Sequence, residues 1–133
     1  MALKWLEGQG VKEGARWLRY AGGAPLLALD YAQNGEALQR LITAVQARGQ
    51  ISVDDRPQLE ALAEVLQKMG LDNALAAFGA PTKYGLGKAG KVDVKAWLAF
   101  ARKMGQNRQL ASHPLNPRLF AAEMLAAMPP EKR

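Results

Sequence analysis

The chain has 133 residues, of which 49% are hydrophobic and 23% are charged. This length and composition predict one compact domain with a sizeable core, or a domain with part of another, and they exclude a disordered chain. The sequence has no cysteine and a single histidine, which excludes a disulfide framework, a thiolate metal site and a zinc centre built by this chain alone. We therefore expect neither a metal nor a cofactor.

Nothing in the sequence indicates a membrane or secretory protein. No apolar run approaches the roughly 20 residues that a membrane-spanning helix needs. The first residues, MALKW, lack the basic, apolar and small-residue regions of a secretory signal. We therefore expect a cytoplasmic protein with no membrane partner.

The net charge of +6 is concentrated in one segment. Residues 1–78 carry eight basic and nine acidic side chains, whereas residues 79–118 carry eight basic side chains and one acidic one, Asp93. Such a segment attracts a phosphate backbone or an acidic protein surface, and it is equally typical of a solvated helix face. Its basic residues are Lys83, Lys88, Lys91, Lys95, Arg102, Lys103, Arg108 and Arg118.

Apolar residues recur at helical spacing along most of the chain, and no window alternates in the manner of a strand. Glycine and proline mark the ends: Gly22 and Gly23 stop one helix, Pro25 opens the next, and Gly70 divides two others. The sequence therefore predicts an all-α fold of about seven or eight helices joined by short loops. The predicted helices span residues 2–7, 11–21, 25–32, 35–48, 58–70, 71–78, 94–110 and 117–128.

Short polar side chains stand where several of these helices begin. Such residues cap a helix by accepting a hydrogen bond from a backbone N–H of its first turn. This explains the paired carboxylates Asp54 and Asp55 more simply than acid–base chemistry does, because Pro57 follows them at a helix start. The other predicted caps are Asn34, Asp93 and Asn116.

A glycine-rich segment over residues 79–91 predicts a mobile, basic loop. Its end, GLGKAGK at residues 85–91, matches the G-x-x-x-x-G-K part of a phosphate-binding P-loop. Val92 follows where the motif needs a hydroxyl for Mg²⁺, and no buried strand precedes the glycines. We interpret the match as a flexible basic loop without nucleotide.

The remaining side chains with chemical potential have structural explanations. His113 has no serine, cysteine or carboxylate spaced to work with it, which favours a hydrogen-bonding role. Trp5, Trp17 and Trp97 fall among apolar neighbours on predicted helices, which favours packing over base stacking. The sequence therefore predicts no catalytic residue.

The last predicted helix, residues 117–128, is apolar nearly all round. Phe120, Met124, Leu125 and Met128 form a bulky face, and three alanines make the opposite side small. A helix of this kind is either central in a core or buried partly against a neighbouring subunit.

The residues around this helix carry a resemblance to a known family. The run HPLNPRLF at residues 113–120, continuing into AAEML, resembles the C-terminal signature of the delta-prime subunit family of the bacterial DNA polymerase III clamp loader. The resemblance implies that this helix is the last one of the collar domain, the ring of helical domains that holds the loader subunits together.

A second stretch, AGGAPLLALD at residues 21–30, resembles the third helix of the small lid domain in AAA+ clamp-loader subunits. Leu26 stands where an arginine of that family contacts nucleotide. In the delta-prime branch this loss is expected, since that subunit keeps the fold without hydrolysing ATP. Residues 78–93 depart from the family, which usually has a longer helical stretch with tryptophans there.

The resemblance implies two structural units and a set of partners. Residues 1–33 would be the closing helices of a lid domain, and residues 34–133 a helical collar domain, with a hinge at residues 33–35. The partners would be the gamma or tau and delta subunits, with DNA reached through the complex. The subunit contacts would involve Arg118, Phe120, Met124 and Ala126.

An alternative function follows from the charge pattern. The chain would then be a small helical DNA-binding protein that uses residues 83–108, with Tyr84 or Trp97 against bases. The predicted phosphate contacts are Lys83, Lys88, Lys91, Lys95, Arg102 and Lys103.

Overall fold

In a computed structural model of the protein, the structure describes residues 2–86, 93–110 and 116–129. These residues contain helices and connections but no strand, which confirms the predicted all-α class. None of the helices in this part of the chain has the length and hydropathy that a membrane span requires. The helices are α1 (Ala2–Gly8), α2 (Gly14–Tyr20), α3 (Pro25–Gln33), α4 (Gly35–Gln46), α5 (Arg56–Ala77), α6 (Val94–Leu110) and α7 (Pro117–Ala126).

The long helix α5 is the centre of the fold. Apolar residues on several of its sides are fully buried, among them Leu59, Leu62, Val65 and Leu66. α6 packs along α5, and α4 and α7 contact it over shorter stretches. Because Gly70 of α5 lies beside residue 101 of α6 while residue 67 lies beside residue 105, the two long helices run antiparallel.

The predicted break at Gly70 is wrong, because α5 continues through it to Ala77. A Cβ atom at Gly70 would lie 3.0 Å from the ring of Phe100 and 3.2 Å from the Cβ of Ala101. Glycine at this position therefore permits the close approach of α6. The residue marks a helix crossing and not a helix end.

Several predicted caps are confirmed by hydrogen bonds. Asp55 accepts a bond from the Gln58 N–H at 2.9 Å and opens α5, and Asp93 accepts one from Ala96 N–H at 3.2 Å before α6. Asn116 accepts bonds from two backbone N–H groups at the start of α7, with Pro117 in the first turn. Polar side chains at these starts satisfy donors that the helices leave open.

Two helix starts differ from the prediction. Asn34 occupies the position before α4 but makes no side-chain capping bond. α2 begins at Gly14 and not at Val11, because Glu13 adopts a left-handed conformation with φ 57°. A residue in that region cannot lie inside a right-handed helix.

The three N-terminal helices share their core with the rest of the molecule. Leu6, Trp17 and Ala28 belong to the same buried cluster as Ile42 and Leu66. The apolar core therefore continues across the predicted hinge at residues 33–35. The division into lid and collar units stays a prediction.

Candidate functional site

The last helix α7 divides its surface between the core and solvent. Ala121 and Met124 are 4% and 1% exposed and pack in the core beneath α7, with Phe120 half-buried beside them. Met124 therefore fills the core of this chain, which contradicts its predicted role as an interface residue. The opposite face exposes Arg118 and Ala126, as the prediction for a subunit contact requires.

The exposed face of α7 also carries an apolar residue that the sequence prediction missed. Leu119 is 60% exposed, and Ala122 and Ala126 continue its line at positions i+3 and i+7, both exposed. We call Leu119, Ala122 and Ala126 the α7 stripe. The spacing of 119, 122 and 126 is the signal in the sequence that could have identified it.

Arg118 fixes the beginning of α7 to the connection before α5. Its Nε and Nη2 atoms donate to Oδ1 of Asp54 at 3.1 and 2.8 Å. Both side chains are largely exposed, so this pair orients the helix and contributes little stability. The α7 stripe is therefore presented on a helix held at its first turn.

The predicted phosphate contacts are only partly brought together. Lys95, Arg102 and Lys103 are exposed on α6, and the helix Val94–Leu110 contains no acidic residue. Lys83 is exposed on the connection that follows α5. Lys88, Lys91 and His113 lie outside the described residues.

The aromatic residues proposed to stack on bases are not free to do so. Trp97 is 4% exposed and packs edge-to-face on Phe100, with ring centroids 5.6 Å apart. Tyr84 is half-buried, with the ammonium groups of Lys68 and Lys83 over its ring. The exposed face of α6 presents Leu98 instead, 48% exposed among the basic side chains.

A buried carboxylate holds the connection after α5. Asp72 is 0% exposed, and its two oxygens accept backbone N–H bonds from Lys83 at 2.8 Å, Tyr84 at 3.0 Å and Leu86 at 2.8 Å. Residues 79–91 were predicted to be a mobile loop. The part that the structure describes, residues 79–86, is instead tethered to α5 by one side chain.

A buried lysine joins the N-terminal helices to α5. The Nζ of Lys68 donates to the Tyr20 carbonyl oxygen at 2.8 Å, to the Tyr31 hydroxyl at 3.1 Å and to Oε1 of Glu64 at 2.8 Å. The same ammonium lies over the rings of Tyr20, Tyr31 and Tyr84, at 3.9, 4.7 and 5.1 Å from their centroids. Burial lowers the pKa of Lys68, and its bond to Glu64 opposes that shift.

A groove lies between α3, α4 and the first half of α5. Its volume is about 820 Å³, and the lining includes the Glu64 carboxylate and Tyr31 beside the buried lysine. Tyr20 also lines the groove; it is 2% exposed, and its hydroxyl has no hydrogen-bond partner among the described residues. Burial raises the pKa of the Tyr20 phenol well above its usual value of 10.0.

The described side chains supply surfaces for binding more clearly than a reactive centre. Within residues 2–86, 93–110 and 116–129, no group of three or more His, Cys, Asp or Glu could hold a metal ion. Comparison of the chain with protein-family models, with curated proteins and with solved structures found no match. The family resemblance of the sequence is therefore carried by the two motifs alone.

Proposed function

We propose that this chain is the C-terminal region of a delta-prime-like clamp-loader subunit. In this proposal it acts in the cytoplasm, without catalysis, and binds the gamma or tau and delta subunits so that the loader can place the sliding clamp. The two motifs at residues 21–30 and 113–120 support the family. The all-α fold agrees with a helical collar.

One observation carries the proposal, namely the α7 stripe. The core takes Ala121 and Met124 from this helix, and yet Leu119 remains 60% exposed. A large apolar side chain on a helix that already has a buried face is the surface that a neighbouring subunit would cover. The stripe is therefore our first candidate for the subunit contact, together with Arg118.

The contact also needs surface from outside α7. Stable interfaces bury more than about 1,000 Å² in total, and α7 has ten residues with only one face free. α6, with Leu98 48% exposed, is the second helix that could contribute. The absence of catalysis rests on sequence: Leu26 replaces the arginine of the lid motif, and Val92 replaces the Mg²⁺-binding hydroxyl.

We expect Leu119→Asp to reduce binding of the chain to immobilised gamma or tau and delta subunits by at least about tenfold. A charge placed in the centre of an apolar contact would lose its hydration without gaining a partner. Surface plasmon resonance measures the affinity, and circular dichroism confirms folding. Leu119 is exposed, so its thermal midpoint should be unchanged.

Leu26→Asp is the matched control, because Leu26 is 74% exposed on α3, away from the stripe. It should bind the subunits as wild type does. Equal binding by wild type and Leu119→Asp, with both folded, would remove the stripe from the proposed interface. Binding lost in both variants would show that apolar surface in general, and not the stripe, is responsible.

A second candidate function has its own observation. The exposed cations Lys95, Arg102 and Lys103 lie on α6, which has no carboxylate to neutralise them. A helix face of this kind suits a phosphate backbone. This would make the chain a DNA-binding protein without base stacking.

The DNA-binding alternative predicts a specific salt dependence. If the three cations each neutralise one phosphate, log K for duplex DNA should fall with log salt with a slope of about −3. Replacing all three by glutamine should remove most of this slope in fluorescence anisotropy. Dissociation constants weaker than micromolar at physiological salt, or a slope that the substitutions leave unchanged, would reject this function.

A further inference from the structure

We propose that the groove between α4 and α5 binds a basic amphipathic helix of a partner protein. The α7 stripe, which carries the proposed function, is not among the residues that line this groove. The inference thus concerns a second interaction surface, and it does not depend on the clamp-loader proposal.

The shape of the groove fits a helix. Leu38 and Leu41 of α4 form one wall, and Ile51, Val53 and Ala61 form the other. Along α4 the lining extends from residue 37 to residue 44, which corresponds to about 10 Å or two helical turns. That length accommodates the i, i+3 or i+4, and i+7 side chains by which an amphipathic helix docks in an apolar groove.

The groove also contains a polar group that the chain does not satisfy. The hydroxyl of Tyr20 is buried and has no hydrogen-bond partner in the described residues. Buried polar groups in native proteins are nearly always paired. A polar side chain of the bound helix would supply the missing partner, as the few polar groups of an otherwise apolar binding site commonly do.

The charge around the groove selects a basic partner. Residues 30–64, which supply most of its lining, carry six acidic and three basic side chains, although the whole chain has a net charge of +6. The carboxylates of Asp30 and Glu64 line the groove, and its single lining cation, Arg40, lies 3.8 Å from Glu36. A cationic helix is therefore attracted to this part of a chain that otherwise repels cations.

Other occupants fit these observations less well. A nucleic acid would meet carboxylates instead of cations, and most of the lining is apolar. A second copy of the chain could offer the basic face of α6, but two molecules of net charge +6 repel each other. A helix from a different protein is free of that penalty.

The test uses a fluorescein-labelled helical peptide of about 18 residues, long enough to form a helix in water. It carries leucines on one face and lysines on both flanks. A matched peptide has glutamates in place of the lysines. Fluorescence anisotropy should show that the lysine peptide binds the chain at least about ten times more tightly than the glutamate peptide, with an affinity that falls as salt is added.

A variant and its control locate the binding. Ala37 is an exposed residue of α4 that lines the groove, and Ala122 is an exposed residue of α7. Ala37→Lys should weaken the lysine peptide by at least about tenfold, since it adds both bulk and like charge. Ala122→Lys should leave the peptide affinity unchanged. Both positions are exposed on helices, so both variants should fold.

Three results would overturn the proposal. The first is equal binding of the two peptides, and the second is no binding of either. The third is concentration-dependent self-association in sedimentation velocity that Ala37→Lys abolishes, because this would assign the groove to a second copy of the chain. Failure here leaves binding through the α7 stripe untouched, since Leu119→Asp tests that separately.

Discussion

Asp72→Ala is expected to lower the free energy of unfolding by roughly 3 to 5 kcal/mol. The carboxylate is 0% exposed and accepts backbone N–H bonds from Lys83, Tyr84 and Leu86. Bonds to a charged acceptor are stronger than neutral ones, and alanine would leave several donors without a partner near the core. Urea denaturation followed by circular dichroism measures the loss.

Two other substitutions sharpen this test. Asp72→Asn keeps one acceptor oxygen and should cost about half as much as alanine. Asp55→Ala is the matched control, since Asp55 is an exposed carboxylate that also accepts a backbone N–H, and loss of such a cap costs about 1 kcal/mol. If Asp72→Ala costs no more than Asp55→Ala, the connection after α5 is not held by this side chain.

Lys68→Ala should cost about 3 kcal/mol of stability. The ammonium bonds to Tyr20, Tyr31 and Glu64, and the lysine is 8% exposed. Alanine removes these bonds and leaves a cavity among the aromatic rings. Lys68→Met refills part of the space and should cost roughly half as much, whereas Lys95→Met, at an exposed position of α6, should be nearly neutral.

The contribution of Lys68 should depend on pH with a defined sign. Burial lowers its pKa below the usual 10.5 in the folded state. Between the two pKa values the unfolded chain binds more protons than the folded chain, so stability must increase with pH. Relative to Lys68→Met, the wild type should therefore gain stability as pH rises from about 8 towards 10. A relative loss over this range would mean that the lysine pKa is raised by folding.

Local signals were sufficient to predict most of the helices and their ends. Asn116 with Pro117 and Asp93 mark helix starts through interactions within a few residues, and the structure places caps there. Gly70 misled the prediction because glycine has two uses. It ends helices, and it also lets helices approach, and only the position of Phe100 and Ala101 decides between them.

The groups at the centre of the structure could not be predicted from local pattern. Lys68 meets the carbonyl of Tyr20 across 48 residues, and Asp72 meets amides 11 to 14 residues away. In the sequence both look like ordinary charged residues of an amphipathic helix. Their burial depends on how the N-terminal helices and the connection after α5 fold back on α5, which periodicity does not encode.

The surfaces proposed for binding were only half predictable. Arg118 and Ala126 are exposed on α7, but Met124 belongs to the core, because a helix that is apolar all round does not reveal which side its own domain uses. Leu119, which lies next to the predicted Arg118, was missed for the same reason. The acidic groove was missed because its lining comes from three separate helices and the connection at residues 50–53.

The central claim is that the chain assembles with clamp-loader subunits. Sedimentation velocity of the wild-type chain mixed with purified gamma or tau and delta subunits tests it most directly, with the chain labelled so that its own boundary is followed. We expect the label to move with the larger complex, and Leu119→Asp to return it to the slow boundary of the free chain. A label that sediments slowly in every mixture, while the other subunits assemble, would contradict the account.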